Sequence, residues 1–209
     1  MSVRLLHFLC LVSLALAAPA ASRAAGKTIV FFGDSLTAGY GLDDPLGESY
    51  PGVIEKKLAQ SGAAHRVVNA GLSGETSAGG LRRVDWILRQ KIDVFFLALG
   101  ANDGLRGIEP ALTKKNLQAI IDRVRAKYPN AVIVIAGMMM PRSMGENYAQ
   151  EFGAIFPDLA RENNLTLMPF LLEGVGGVPA LNQPDTIHPN AEGHQKVADA
   201  VWPYIEPLL

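Results

Sequence analysis

Thr28-Ile29-Val30-Phe31-Phe32-Gly33-Asp34-Ser35-Leu36 is the stretch from which the fold can be read. Its first five residues are β-branched or aromatic, and from Ile29 to Phe32 no polar residue alternates with the apolar ones. A strand of this kind is buried on both faces, as in a parallel sheet covered by helices. Gly33 then ends the run and the chain turns. Similar runs recur at residues 94–99 and 131–136, and 66–70 and 165–168 are further strand candidates. Between them apolar residues return at helical spacing. The examples are Val53, Ile54 and Leu58 within 50–60; Leu81, Val84, Ile87 and Leu88 within 81–88; and Leu117, Ile120, Ile121 and Val124 within 112–128. Residues 148–162 and 191–205 also read as helices. Strand and helix alternate throughout, which predicts an α/β fold with a central parallel sheet of about five strands and helices on both sides. Right-handed crossovers leave few topologies. No internal repeat or low-complexity linker interrupts residues 26–209, so they read as one domain. In such sheets ligands bind at the carboxyl ends of the strands, near a switch in strand order. The loops to inspect therefore follow Phe32, Ala70, Leu99, Ala136 and Met168.

The chain has 209 residues, 49% of them hydrophobic and 19% charged, which is ordinary for a soluble domain. Its net charge is −1 and no basic stripe stands out, which argues against a nucleic-acid partner. Residues 1–24 read differently. Arg4 gives a positive start, residues 5–17 are apolar apart from His7 and Ser13, and small residues follow to Ala25. This is the layout of a secretory signal peptide. The apolar run is shorter than the ~20 residues of a membrane anchor, so no membrane span is expected in the mature chain. Ala18-Pro19-Ala20 and Ser22-Arg23-Ala24 each offer a small-x-small cleavage site. Cleavage near Ala24 would remove two arginines, Arg4 and Arg23, and no acid, taking the net charge from −1 to −3. It would also remove Cys10, the only cysteine, so the exported chain would form no disulfide. A periplasmic or extracellular monomer is expected.

Four features following the strand candidates carry chemistry. Ser35 stands just past the first strand and reads either as a nucleophile or as a turn serine. Gly71, in the loop after the second, would let a backbone N–H approach a ligand without a Cβ in the way, or simply make the loop flexible. Asn102, after the third, can donate its side-chain N–H to an oxyanion or cap a helix. Finally, Asp185 and His188 are three residues apart, within one tight turn. There the carboxylate can accept the Nδ1 proton and leave Nε2 free to take a proton from serine. Pro189 restrains the backbone just after the histidine. A metal site would need more ligands; His65 and His194 lie in no comparable context. The features matter jointly, because all would converge on one edge of one sheet. The Gly-x-Ser-x-Gly elbow of α/β-hydrolases is not present, since Thr37 stands where the second glycine should be.

On these residues the chain resembles a GDSL-type hydrolase of the SGNH superfamily. Gly33-Asp34-Ser35-Leu36, Gly71, Gly100-Ala101-Asn102-Asp103 and Asp185-Thr186-Ile187-His188 match the family's four blocks, in order, across nearly the whole mature chain. The ending, from Gln183 through His194 to Val201-Trp202-Pro203, is similar to the bacterial periplasmic thioesterase I/arylesterase/lysophospholipase branch. The resemblance implies a three-layer α/β/α fold of flavodoxin-like kind. It also implies a serine esterase acting on acyl esters and thioesters, with Ser35, Asp185 and His188 catalytic. The oxyanion would be held by the Ser35 and Gly71 N–H groups and the Asn102 side chain, and no cofactor or metal would be required. Leu105, Ile108, Met138, Met139, Met140, Leu172 and Val175 would line an acyl groove, or else pack within their loops. The rival readings are a carbohydrate O-deacetylase on the same core and an inactive envelope binding protein.

Overall fold

The computed structural model describes residues 26–209 apart from Ser61 and Ala63; the expected signal peptide lies outside the described residues. Five parallel strands form the sheet: β1 (Thr28–Gly33), β2 (Arg66–Gly71), β3 (Val94–Ala98), β4 (Val132–Ala136) and β5 (Thr166–Met168). Their order is β2-β1-β3-β4-β5, the flavodoxin-like arrangement. After β2 the chain crosses to the other side of β1, so the topological switch lies between β1 and β3. The longer helices are α3 (Tyr50–Gln60), α4 (Ser77–Ile87), α6 (Pro110–Lys127), α7 (Glu146–Asn163) and α8 (Ala191–Ile205). Helices α3 and α8 pack together, while α6 packs on both α4 and α7. The sheet is thus sandwiched between two helical layers.

The phenylalanines of the two central strands explain why these strands are the centre. Phe31, Phe32, Phe95 and Phe96 are wholly buried. Phe31 and Phe96 face each other across the ladder with ring centroids 5.3 Å apart, and Tyr50 from α3 meets Phe31 edge-on at 5.5 Å. On the opposite face Phe32 packs on Phe95 at 5.4 Å. Each ring contributes roughly 1.5–3 kcal/mol by leaving water. The expectation of strands buried on both faces holds for β1 and β3. It does not hold for the edge strands: β2 exposes Arg66 and Asn69, and β5 exposes Thr166. Polar residues on an edge discourage pairing with another chain.

Three short helices were not anticipated: α1 (Ser35–Ala38), α2 (Pro45–Glu48) and α5 (Ala101–Leu105). Each has only about one turn, too little for helical periodicity to register in a sequence. The local signals of α1 and α2 are caps, whereas α5 follows Gly100 and has no side-chain cap bond. Asp34 accepts the Leu36 N–H at 3.0 Å to start α1, and Gly39, left-handed at φ 78°, ends it. Asp44 caps α2, which begins with Pro45.

Helix α1 lies directly against the end of β2. A Cβ on Gly71 would meet the Ala38 nitrogen at 2.2 Å and the Thr37 carbonyl carbon at 2.7 Å. Both are helix backbone and neither can rotate away. Gly71→Ala should therefore cost about 1–3 kcal/mol of stability, read from urea denaturation. A variant as stable as its parent would mean that α1 can shift off the strand freely.

Candidate active site

The switch between β1 and β3 places the loops that carry Ser35 and Asn102 side by side. Gly33 is the last strand residue and does not itself make the turn. Its missing Cβ leaves room for Thr37 Oγ1 and the Ala98 carbonyl. Ser35 is then the first residue of α1, with its Oγ 2.9 Å from His188 Nε2. His188 arrives from the other end of the chain, in the loop that precedes α8.

The Asp185–His188 turn is built by its own carboxylate. Asp185 Oδ1 accepts the N–H groups of Ile187 and His188, both at 3.0 Å, and Oδ2 lies 2.6 Å from His188 Nδ1. These donors, the His188 backbone N–H first, hold the Asp185 carboxyl down at about 2. With Asp185 ionised, Nδ1 carries the proton and Nε2 is the acceptor facing Ser35. Gln183 joins the two loops: its N–H donates to the His188 carbonyl at 2.7 Å, and its Nε2 donates to the carbonyls of Tyr40 and Pro189 at 2.6 and 3.0 Å. The Tyr40 ring packs 4.8 Å from the His188 ring. Gln183 and Tyr40 are supporting residues that the sequence reading missed.

Asn102 lies in the first turn of α5 and donates from Nδ2 to Asp34 Oδ2 at 3.4 Å. Asp34 is fully buried, and burial pushes its carboxyl up to about 6 against the opposing Leu36 N–H. Neighbouring Asp103, also fully buried, takes the Ser77 N–H at 2.7 Å and the Ser77 hydroxyl at 2.5 Å, and the Thr113 hydroxyl at 3.3 Å. This ties α5 to the starts of α4 and α6. Gly71 is at the same edge, but its N–H donates to Asn69 Oδ1 at 3.0 Å. Asn69 in turn donates to the Thr37 carbonyl at 2.8 Å and to Ser49 Oγ at 3.2 Å.

A cavity of about 690 Å³ opens beside Ser35, Asn102 and His188. Of the expected groove residues, Leu105, Met138, Met139, Met140 and Leu172 line it. Ile108 and Val175 do not. Val175 is wholly buried in the core, and Ile108 lies outside the cavity wall, its carbonyl held by the Tyr148 hydroxyl at 2.8 Å. Leu36, Phe170 and Ile187 also line it with apolar side chains. They were missed although each lies in a loop already singled out. His194 is buried, accepts the Tyr50 N–H on Nδ1 at 3.3 Å, and is pushed down to about 4 by burial. His65 Nδ1 accepts the Lys27 N–H at 3.2 Å. Among the described residues, no group of three His, Cys, Asp or Glu side chains is placed to hold a metal ion. The arrangement is a hydroxyl bonded to an imidazole backed by a carboxylate, at the mouth of an apolar cavity. Chemically, it can deprotonate the hydroxyl as it attacks a carbonyl.

Comparison with known proteins agrees with this chemistry. The model of the GDSL-like Lipase/Acylhydrolase family matches residues 31–196. The chain is 39% identical over 188 residues to the esterase TesA of Pseudomonas aeruginosa, covering 90% of this chain and 92% of that protein. It is 37% identical over 187 residues to the "Thioesterase 1/protease 1/lysophospholipase L1" of Escherichia coli, covering 89% and 86% respectively. A crystal structure of TesA superposes with a TM-score of 0.82 at 38% identity, covering 88% of this chain and all of the other. The chain therefore belongs to the GDSL-like lipase/acylhydrolase family and is an ester-hydrolysing enzyme.

Proposed function

We propose that the enzyme hydrolyses acyl esters and thioesters of medium or long chain, with Ser35 as nucleophile, His188 as general base and then acid, and Asp185 as the group that orients the imidazole. The observation that carries this is the unbroken chain from Ser35 Oγ through His188 to Asp185, opening on an apolar cavity. Ser35 attacks the acyl carbon while His188 takes its proton. His188 then protonates the leaving alcohol or thiol, and water releases the acyl group from Ser35 by the same path in reverse. The oxyanion is met by the Ser35 N–H at the start of α1 and by Asn102 Nδ2, which keeps one hydrogen toward Asp34 and turns the other to the substrate. The Gly71 N–H joins by sharing or exchanging its bond to Asn69. Such preorganised donors are typically each worth 10²–10³ in turnover.

The apolar wall of Leu36, Leu105, Met138, Phe170 and Leu172 suits an acyl chain better than a sugar ring. Methionines adapt to varied chains. The reading includes export, for which Arg4 and the apolar run at residues 5–17 speak. No described helix is long and apolar enough to cross a membrane. It also includes action as a monomer, since one chain supplies every group named above.

Ser35→Ala should abolish hydrolysis while the protein stays folded. Across a p-nitrophenyl ester series the wild-type kcat/KM should rise from acetate toward longer chains. A steep fall from acetate onward would favour a deacetylase; near-normal turnover by folded Ser35→Ala would exclude Ser35 as nucleophile.

Asp185→Asn should keep the fold but lower kcat by about 10²- to 10⁴-fold. A serine-protease counterpart loses about 10⁴, and here the turn and Pro189 hold the histidine in part. The loss should not multiply with that of His188→Ala, because the two residues act as a unit. Turnover of both single variants and the double variant, on one ester, checks this.

Asp34 gives a pH test. Burial raises its carboxyl from 3.8 to about 6, so the folded protein binds this proton more tightly than the unfolded chain. The resulting stability is fully present below pH 3.8 and is lost as pH rises through 6. The full shift corresponds to about 3 kcal/mol. Asp34→Asn removes this titration, so the variant's stability relative to wild type should improve between pH 4 and 6 and level off above. Its new NH₂ would face Asn102 Nδ2, two donors together, so kcat should fall with little change in KM. Urea denaturation at each pH, with kinetics at pH 7.5, reads both effects; a flat stability difference would mean that the Asp34 carboxyl is not raised in the folded protein.

A further inference from the structure

Arg83, on α4, stands outside the cavity and outside the four sequence blocks. Its side chain is mostly buried and is held through Nε and Nη2. Nη2 donates to the Ala70 carbonyl at 2.8 Å and to the Gly33 carbonyl at 3.3 Å. Nε lies 2.8 Å from both carboxylate oxygens of Glu75, which is itself buried and also paired with Nη2. The guanidinium carbon sits 4.2 Å from the centroid of the Phe32 ring. These contacts fall at the ends of the neighbouring strands β1 and β2, the first followed by Ser35 and the second closed by Gly71.

The Ala70 carbonyl and the Gly71 N–H belong to one planar peptide unit. Resonance keeps that unit rigid, with the C=O and N–H pointing in opposite directions. A cation holding the carbonyl therefore fixes the aim of the N–H and draws electron density away from it. The Gly33 carbonyl, which also accepts the Leu72 N–H at 3.0 Å, is held to the same guanidinium. One residue thus sets the ends of β1 and β2 against each other.

We propose that Arg83 is a positioning residue for the hydrolytic reaction, with Glu75 as its anchor: it holds the peptide joining Ala70 to Gly71 so that the Gly71 N–H, which donates to Asn69 Oδ1, stays where it can be shared with the oxyanion. This rests on the reading of Gly71 as an oxyanion donor. Arg was suited to the place because its planar fork serves two carbonyls and a carboxylate at once, whereas a lysine ammonium is a point charge.

The test compares Arg83→Met, Arg83→Lys and Glu75→Gln with wild type on one p-nitrophenyl ester. Active sites are counted by stoichiometric reaction with an organophosphate, so that kcat refers to competent molecules. Loss of a transition-state donor lowers kcat and leaves KM nearly unchanged. Arg83→Met should lower kcat by about 10- to 100-fold, below the 10²–10³ of a deleted donor, with KM within about twofold. Arg83→Lys should recover part of the loss, and Glu75→Gln should lower kcat several-fold. The pH dependence of kcat/KM should keep its wild-type shape, because the triad is untouched. If Arg83→Met does not fold, Arg83→Lys and Glu75→Gln decide: wild-type kcat in both overturns the proposal. A lower melting temperature with wild-type kcat per site likewise overturns it, since that is a purely structural role. Ser35→Ala, assayed alongside, separates the two failures: if it is inactive while the Arg83 variants turn over normally, the hydrolytic reading stands and only the positioning role falls.

Discussion

The pairing of β1 with β2 on one side and β3 on the other is the constraint on which the rest of the site depends. Parallel strands in register end at the same level, so Gly33, Gly71 and Ala98 lie in one row across the sheet. Whatever follows each strand is then delivered to the same edge. The switch in direction between β1 and β3 opens the crevice there. The phenylalanine pairs on both faces of β1 and β3 make this register hard to change. A slip of one residue would turn each ring toward the opposite helical layer.

Much of this was legible in the sequence, because it follows from periodicity and chain order. The runs around Phe31 and Phe96 carry no alternation, and that lack of pattern identifies central parallel strands. The edge strands were harder to characterise, since β2 mixes Arg66 and Asn69 with valines, and its exposure depends on having no neighbour. The one-turn helices could not be read from period at all. The evidence for α1 and α2 lies in their capping residues, Asp34 and Asp44, which also serve in ordinary turns, and α5 has no side-chain cap at all.

At the site, legibility divided along a similar line. Ser35, Asn102, Asp185 and His188 sit at strand ends or within one turn of each other, and the structure brings them to one edge. Residues defined only by tertiary contact were less visible. Val175 and Leu172 are both apolar and three apart in the same loop, yet one is turned into the core and the other into the cavity. Composition cannot separate those two outcomes. Gln183, Tyr40 and Arg83 support the site through main-chain carbonyls, and a carbonyl carries no residue-specific signal.

The buried acids show how the edge is held rigid. Asp34, Glu75 and Asp103 follow β1, β2 and β3 in turn, and each is nearly or fully inaccessible. A carboxylate taken from water costs several kcal/mol unless its oxygens are satisfied. Here Asp34 receives the Leu36 N–H and Asn102, Glu75 receives Arg83, and Asp103 receives Ser77 and Thr113. Such groups add little net stability, but displacing a partner leaves a charge stranded. Each acid therefore resists movement of the loop it sits on, more strongly than an apolar contact of the same size would. The three loops so restrained are those that present Ser35, Gly71 and Asn102. A developing oxyanion is stabilised best by donors that move little when the charge appears, so on the proposed mechanism Ser35 and Asn102 gain from this rigidity directly, while Gly71 must still share its N–H with Asn69.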